Sequence, residues 1–328
     1  MKSQLDQIQL LRGIAAFSIL IAHTPYIQRG HFGVDLFFII SGFIMTYVTE
    51  NTHKGFLRKR AVRVVPLYWL GTIGLYVIAV VAPGLLNTAT DSVVDLLRSL
   101  FFIPYFNGRT VEPLLRLGWT LNYEVFFYLL FFLACLICRR RRVIIASTLI
   151  FLLVFLGFAL DSGGILTDFY TDPILLEFIF GMVAFYVYKV SIEYVNRIEI
   201  VYIRFGFGLG ILLYLSLFYF QSMEDLERRA FTWGLPCLVV FLLVALAGSR
   251  IRIWLNFVML GNISYSLYLF HPYVIHFIDR KIFSLSSVSW AAYLVTLGAY
   301  AASIAVAYAS WRFIEKPSQR LLLPSSEK

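Results

Sequence analysis

Apolar segments of about 20 residues, the length at which a helix crosses a bilayer, recur along the whole chain. Short polar stretches separate these segments. The pattern predicts an all-α fold, a polytopic membrane helical bundle of about ten transmembrane helices. The predicted spans are Ile8–Thr24, Gly33–Thr49, Val64–Ala82, Trp119–Ile137, Val143–Leu160, Asp172–Val190, Ile203–Phe220, Phe231–Ala247, Gly261–Ile278 and Ala291–Trp311.

A further apolar segment, Val93–Phe106, is interrupted by Asp95, Arg98 and Pro104. Charged residues are costly in a helix that is surrounded by lipid, and a proline breaks its hydrogen-bond ladder. This segment is therefore predicted to lie at the membrane interface, or to re-enter the bilayer without crossing it.

The composition fits a membrane domain. The chain has 328 residues, of which 60% are hydrophobic and 14% charged, whereas soluble domains have about 25% charged residues. We predict one membrane domain at residues 1–317 and a short polar cytoplasmic tail at 318–328. No metal site is expected, because no histidine or third thiol lies near the cysteine pair Cys135 and Cys138.

The distribution of positive charge predicts the orientation, because loops rich in Lys and Arg stay in the cytoplasm. With the N-terminus inside, 19 of the 28 Lys and Arg residues face the cytoplasm and 8 face the opposite side. The sequence thus predicts an N-in, C-in topology in the cell (inner) membrane. This topology also accounts for the net charge of +9 without a nucleic-acid partner.

Two ionisable residues, Arg12 and His23, fall inside the first predicted span. They are eleven positions apart, so on a helix they lie about 20° apart around the axis and roughly 16 Å apart along it. An ionisable residue within a membrane span is costly and therefore a candidate for function. Two on one face predict a polar path through the bilayer.

Three carboxylates are predicted to approach His23. Asp35 begins the second span at the outer end, and Glu124 and Glu177 are predicted one to two turns below the outer surface. A histidine beside a carboxylate is the usual arrangement of a general base, because the acid fixes the tautomer and stabilises the imidazolium. Each acid could equally be a structural hydrogen-bonding group or lie at the level of the lipid headgroups.

Arg60 and Arg63 belong to a basic stretch before the third span and would face the same way on a helix. Positive-inside topology alone explains such a loop. Alternatively, the two guanidinium groups form a phosphate-binding mouth on the cytoplasmic side. The sequence leaves both interpretations open.

Aromatic and histidine side chains complete the candidate chemistry. Trp119 begins a span at the interface, where tryptophan is common. His271 precedes Pro272 within a span, so it either stabilises a kink or contacts a ligand. His31 and His53 are predicted to be solvated loop residues.

These residues stand in motifs that resemble the integral-membrane acyltransferase-3 family, whose bacterial members O-acylate cell-surface glycans. The resemblance covers most of the chain, and its closest branch is the exopolysaccharide-production acetyltransferases. The motifs are Arg12–Gly13 with His23, GVDLFFIISGF at 33–43, RAVR running into PLYW at 60–69, WTLNYE at 119–124, EFIFG at 177–181, YSLYLFH at 265–271 and FIEKP at 313–317.

The resemblance implies a membrane O-acyltransferase that uses acyl-CoA, with acetyl-CoA as the preferred donor substrate and no permanently bound cofactor. The acceptor would be a hydroxyl of an extracytoplasmic glycan or lipid-linked oligosaccharide, and membrane lipid and polysaccharide-assembly proteins would be partners. The implied roles are catalytic for His23 (the general base), Asp35 and Glu124; donor-binding for Arg12 (pantetheine arm), Arg60 and Arg63 (phosphates); and substrate-binding for Trp119, Glu177, Tyr268 and His271.

Other interpretations remain open. Direct transfer is preferred, but an acyl-histidine relay is an alternative. Ionisable stripes also mark transport paths, so a transporter or flippase of a lipid-linked sugar is the main competing function, although the sequence shows no internal repeat. A membrane glycosyltransferase would use acids of the outer loops: Asp161, Asp168, Asp172, Glu224 and Asp225.

Overall fold

The computed structural model describes residues 5–24, 27–52, 54–82, 91–108, 110–160, 163–220, 229–282 and 289–323. Within these ranges the regular structure is helical, and β-type pairing is limited to an isolated bridge between Phe106 and Val111. The predicted all-α fold is confirmed. His53, Asp161, Glu224 and Asp225 lie outside the described residues.

Thirteen α-helices follow one another in these ranges, and short π-helical turns precede α10 and α13. They are α1 (Asp6–Ala22), α2 (Gly33–Val48), α3 (Phe56–Val81), α4 (Val93–Leu100), α5 (Gly118–Cys138), α6 (Arg142–Leu160), α7 (Ile165–Tyr170), α8 (Leu176–Val195), α9 (Ile200–Phe220), α10 (Leu235–Gly248), α11 (Leu255–Ile282), α12 (Ser289–Ser310) and α13 (Lys316–Leu322).

Each predicted span coincides with one of the longer helices. In the described ranges, six continuous helices are long and apolar enough to cross a membrane, and one of them, Gly118–Leu160, includes both α5 and α6. The shorter α2 is also apolar. The two predicted spans outside this set are α1 and α11, which carry Arg12, His23 and His271. The count of ten and the N-in, C-in orientation stay predictions.

The chain divides into two compact units. The first unit contains the described residues up to 44 and those from 177 to 312. Its core is formed by aromatic and aliphatic side chains of α1, α2, α8, α9 and α10, with Phe43 and Phe241 among them, and by Trp233 of the π-helical turn before α10. A second apolar cluster joins α1 to α11 and α12 through Leu20, Leu267 and other small and branched residues.

Close approach of α1 and α11 depends on two glycines. A β-carbon at Gly261 would lie 2.1 Å from the carbonyl oxygen of Gln9, and one at Gly13 would lie 2.9 Å from Leu260 Cβ. Small residues at helix contacts let the two backbones approach in this way. The contact brings the polar residues of α1 next to those of α11.

Helix directions in the first unit agree with the predicted alternation of spans. From the start of α1 to its end, contacts progress from Gly261 to His271 on α11, so the two helices are parallel. The last residue of α10, Gly248, lies against Gln7 at the start of α1, so α10 is antiparallel to α1. The predicted topology requires this, because in it spans one and nine run outward and span eight runs inward.

The second unit contains residues 45 to 176 and 313 to 323 of the described chain. Its helices α3 and α5 are antiparallel, since Phe56 packs on Phe131 and Gly118 lies against Tyr68. The end of α4 contacts the middle of α3, where the hydroxyl of Tyr68 donates to the Ser99 carbonyl at 3.1 Å. This position agrees with a segment that does not cross the bilayer.

One arginine of the basic run at 139–142 is buried and hydrogen-bonded to the end of α2. Arg139, Arg140 and Arg141 are exposed, but Arg142 is buried. The Arg142 guanidinium donates to Thr49 Oγ at 2.8 Å and to the Thr46 carbonyl at 3.2 Å. It therefore satisfies polar groups at the carboxyl end of α2, where a positive charge is favoured.

Candidate active site

Arg12 is held on the face of α1 that meets α11. Its side chain is only 7% exposed, and it donates to Ser264 Oγ at 2.9 Å and to Gln9 Oε1 at 3.2 Å. The partner on α11 is reachable because Gly13 and Gly261 allow the close helix contact. These hydrogen bonds reduce the cost of burying the charge.

His23 directly follows the last residue of α1 and contacts the same neighbouring helix. Its Nδ1 lies 2.8 Å from the Ile19 carbonyl oxygen and 3.2 Å from Nε2 of His271. Because Arg12 and His23 both contact α11, the predicted common face of α1 is confirmed. The helix itself begins at Asp6, close to the predicted start of the span.

Hydrogen bonds to carbonyl groups fix the tautomers of both histidines. A carbonyl oxygen only accepts, so the Nδ1 atoms bonded to Ile19 and Leu267 must carry the protons of His23 and His271 respectively. The lone pair of His271 Nε2 then faces the Nδ1–H of His23. The lone pair of His23 lies on its Nε2, the nitrogen that can act as a base.

His31 is the third member of this group, which we call the histidine cluster (His23, His31 and His271). Its ring packs edge-on against His23, with 5.6 Å between the centroids, and it is half-buried. The prediction of a solvated loop residue is wrong for His31. Burial, followed by the nearby His23 and Arg229, lowers the pKa of His31 to about 4, with Asp35 opposing the shift.

Asp35 is paired with an arginine that the sequence did not single out. Arg229 Nε lies 2.9 Å from Asp35 Oδ1, and Nη2 lies 2.8 Å from Oδ2. The pair is buried: the Asp35 side chain is 0% exposed and the Arg229 side chain 11%. Arg229 also donates to the His31 carbonyl at 3.3 Å and lies over the Trp233 ring at 5.1 Å. The role of Asp35 in orienting His23 stays a prediction.

Glu177 and Tyr268 are also buried in the first unit. The Glu177 side chain lies against Gly234, where an added β-carbon would be 3.3 Å from Oε1. Tyr268 packs edge-on against Phe37, with 5.9 Å between the centroids, and its ring is 6.5 Å from that of His271. Their substrate-binding roles stay predictions.

A second polar group, the arginine cluster (Arg60, Arg63, Glu124 and Tyr128), lies in the second unit. The Tyr128 hydroxyl donates to Glu124 Oε1 and is also hydrogen-bonded to Arg60. The charges of Arg60, Arg63 and Glu124 act on one another at this point. Glu124 near the outer surface and both arginines at the cytoplasmic mouth therefore cannot both hold, and the membrane depth of this cluster stays a prediction.

The antiparallel packing of α3 and α5 explains why Glu124 lies at the level of the two arginines. The start of α5 lies beside Tyr68, in the middle of α3, so the start of this span is not level with the end of α3. One turn and a half further along α5, Glu124 reaches the level of Arg63. The sequence could not reveal this offset, because it depends on how the segment between the two helices folds.

Trp119 opens α5 and lies 6.0 Å from the Tyr123 ring, centroid to centroid. Tyr123 is held in turn by stacking on Phe169 at 3.8 Å and by a hydrogen bond of 3.2 Å to Asp172. The motif thus builds a fixed aromatic corner. Whether Trp119 contacts substrate stays a prediction.

In the described part of the chain, no group of three or more His, Cys, Asp or Glu side chains is arranged to hold a metal ion. The histidine cluster is not such a group either. The chemistry that this cluster offers is that of imidazole side chains. A neutral imidazole with a defined lone pair can accept a proton from a hydroxyl group.

A helical chain with several segments long and apolar enough to cross a membrane, and with a buried Arg12 and a half-buried His23 on one helix face, defines a multi-pass membrane protein with a candidate catalytic base. The family described as an acyltransferase domain (Acyl_transf_3) matches residues 5–312. The chain therefore belongs to the acyltransferase-3 family, as the motifs predict.

Individual relatives agree with this family. The exopolysaccharide production protein ExoZ of Rhizobium meliloti is 32% identical over 307 residues, which cover 89% of this chain and 90% of the relative. The O-acetyltransferase OatA of Staphylococcus aureus is 25% identical over 94% of this chain, which spans 56% of that protein. A putative O-acetyltransferase of S. aureus is 23% identical, with the same coverage. No solved structure matches the chain.

Proposed function

We propose that this protein is a membrane-embedded O-acyltransferase that moves an acyl group, acetyl first, from cytoplasmic acyl-CoA to a hydroxyl of an extracytoplasmic glycan or a lipid-linked polysaccharide unit. The family supports acyl transfer. The names of the relatives support O-acetylation and exopolysaccharide production as the chemical and biological setting.

The observation that carries this proposal is the tautomer of His23. With its proton on Nδ1, the ring presents a lone pair at Nε2. In the reaction this atom takes the proton of the acceptor hydroxyl while the hydroxyl oxygen attacks the thioester carbonyl. A C–O bond forms, the C–S bond breaks, and the imidazolium returns the proton to the leaving thiolate.

Arg12 and the arginine cluster are proposed to bind the donor. The guanidinium of Arg12, fixed by Ser264, would contact the polar pantetheine arm. Arg60 and Arg63 would pair with phosphate oxygens, which guanidinium groups suit. Asp35 is proposed to act through Arg229, which reaches the backbone of His31, rather than through His23 directly.

The test is release of free thiol from acetyl-CoA by purified protein in vesicles that contain a surface glycan, for wild type and for His23→Ala. Loss of a general base lowers the rate typically by about 10²–10⁴-fold. His276→Ala is the matched control, because His276 is an exposed histidine of α11. Its rate should equal that of wild type.

Two outcomes would overturn parts of the proposal. Equal acceptor-dependent release by wild type and His23→Ala would leave the enzyme class but remove His23 as the base. The absence of release with every acyl-CoA and glycan would favour the flippase, which movement of a lipid-linked sugar between leaflets would then reveal.

A further inference from the structure

We infer that His271 is the positioning residue for His23, fixing its tautomer and ring orientation in the place that a carboxylate occupies in the usual histidine–acid pair. The inference rests on the proposed role of His23 as the base. It differs from the substrate-binding role predicted for His271 from the sequence.

The orientation of His271 is set by its own helix. The side chain is 1% exposed, and Nδ1 lies 2.9 Å from the Leu267 carbonyl oxygen. The ring also hydrogen-bonds to the backbone of Tyr268. Pro272, the next residue, lies inside α11 and has no N–H, so the helix bond that the Tyr268 carbonyl would receive from position 272 is missing. The proline thus leaves a backbone acceptor for the histidine.

With its proton on Nδ1, His271 offers a lone pair on Nε2 and nothing to donate there. That lone pair is 3.2 Å from Nδ1 of His23. Two acceptors face His23 Nδ1, namely the Ile19 carbonyl at 2.8 Å and Nε2 of His271, and both require a proton on this nitrogen. The opposite tautomer of His23 would leave two acceptors facing a lone pair, so the base lone pair stays on Nε2.

The carboxylate that the sequence offered for this task is engaged elsewhere. Both oxygens of Asp35 are bonded to Arg229, at 2.9 and 2.8 Å. Separating this pair would leave two charges poorly compensated in a buried site. A neutral histidine acceptor therefore orients the base, and it does so without placing a further negative charge beside an incoming thioester.

Kinetics of two replacements separate this role from substrate binding. His271→Leu cannot accept a hydrogen bond, whereas His271→Gln can accept through Oε1. We expect His271→Leu to lower kcat by about 10–100-fold, the loss that is typical when a residue orienting a metal-binding side chain is replaced. The KM values for acetyl-CoA and glycan should not change. His271→Gln should recover most of kcat. In a His23→Ala background, His271→Leu should have no further effect, because residues that act as a unit are not additive.

A rise in KM at constant kcat would overturn the inference and restore the substrate-binding role. Equal loss in His271→Gln and His271→Leu would also overturn it. His276→Leu, the same change at an exposed site of α11, provides the control.

Chemical labelling tests the orientation without turnover. Diethyl pyrocarbonate acylates a neutral imidazole nitrogen, and the rate at His23 can be followed by mass spectrometry with His276 as the internal reference. Slower labelling of His23 in His271→Leu, but not in His271→Gln, would support the inference even if wild type released no thiol, in which case the proposed function alone would fail. Unchanged labelling in an active enzyme would overturn the inference alone.

Discussion

The histidine cluster of the first unit and the arginine cluster of the second each have a carboxylate close to arginine. They differ in the other side chains that surround that carboxylate. In the histidine cluster, the nearby charges of Asp35 and Arg229 are paired, and the His23 ring contacts the rings of both His31 and His271. In the arginine cluster, Glu124 and Tyr128 lie near two cations, Arg60 and Arg63, whose charges act on them. The first arrangement suits proton transfer, and the second suits binding of an anion.

This difference bears on which residue orients the general base, a role that the sequence pattern assigns to an acid. Asp35 and Glu124 are both candidates for orienting His23 by predicted depth. In the structure each carboxylate has arginine neighbours, and the roles of both in orienting His23 stay predictions. Histidine then takes the place beside His23.

The largest expected effect is on stability and comes from separating the charge pair of the first unit. Arg229→Met leaves the Asp35 carboxylate buried without its bidentate partner, which typically costs about 3–5 kcal/mol. Thermal unfolding in detergent would measure the loss. The double variant Arg229→Met with Asp35→Leu should recover a large part of it, because both buried charges are then removed.

Arg98→Ala is the matched control for that change. Arg98 forms an exposed pair with Asp95 at 3.4 Å. Exposed pairs of this kind contribute about 0–1 kcal/mol. If the two arginine variants lost the same stability, the buried pair of Asp35 and Arg229 would contribute no more stability than the exposed pair, and the prediction would be wrong.

A smaller loss is expected where α1 meets α11. Gly261→Ala places a methyl group 2.1 Å from the Gln9 carbonyl oxygen, so the helices must separate. Such overpacking costs about 1–3 kcal/mol. Because Arg12–Ser264 and His23–His271 both bridge these helices, thiol release should fall together with stability, while the arginine cluster is unaffected.

Gly298→Ala is the control for this substitution, since a β-carbon at Gly298 meets nothing within 4 Å. Alanine is favoured over glycine in a helix by about 0.5–1 kcal/mol. Gly298→Ala should therefore be neutral or slightly stabilising. Equal stability of the two alanine variants would contradict the importance of the close helix contact.

The arginine cluster predicts a change in donor binding rather than in catalysis. Glu124→Gln removes a negative charge near Arg60 and Arg63, so KM for acetyl-CoA should fall a few-fold, as expected for the loss of a charge interaction worth about 0.2–1 kcal/mol. Steady-state kinetics would give kcat and KM separately. A fall in kcat at constant KM would instead support the role of Glu124 in orienting His23.

Tyr128→Phe sharpens that comparison, because it removes the hydrogen bonds to Glu124 and Arg60 but keeps the charges. Its effect on KM for the donor should be smaller than that of Glu124→Gln. A larger effect of Tyr128→Phe would mean that the hydroxyl of Tyr128, and not the carboxylate of Glu124, has the greater influence on donor binding by Arg60 and Arg63.

Much of the fold could be predicted from local patterns. Apolar segments located the long helices, and the helix period placed Arg12 and His23 on one face. Partners remote in the chain could not be predicted, because no local pattern pairs Asp35 with Arg229, which is 194 positions away. The level of Glu124 relative to Arg60 and Arg63 could not be predicted for another reason: the ends of two spans predict a common level only when the neighbouring helices end at the same level.

The smallest expected effect concerns pH and His31. Its pKa is about 4 in the folded protein against an ordinary 6.5, so the folded state binds this proton less readily than the unfolded state. His31 therefore contributes stability that is complete above pH 6.5 and is lost as pH falls toward 4. Thermal unfolding of His31→Asn should show a weaker loss of stability between these values than wild type.

The same shift predicts that His31 stays neutral wherever the enzyme is assayed near neutral pH. The pH dependence of kcat above pH 6 should therefore be the same in wild type and His31→Asn, although the ring lies against His23. A displaced pH profile would mean that His31 titrates with the base, and the histidine cluster would then have to be treated as one coupled acid–base group rather than as a base with neutral neighbours.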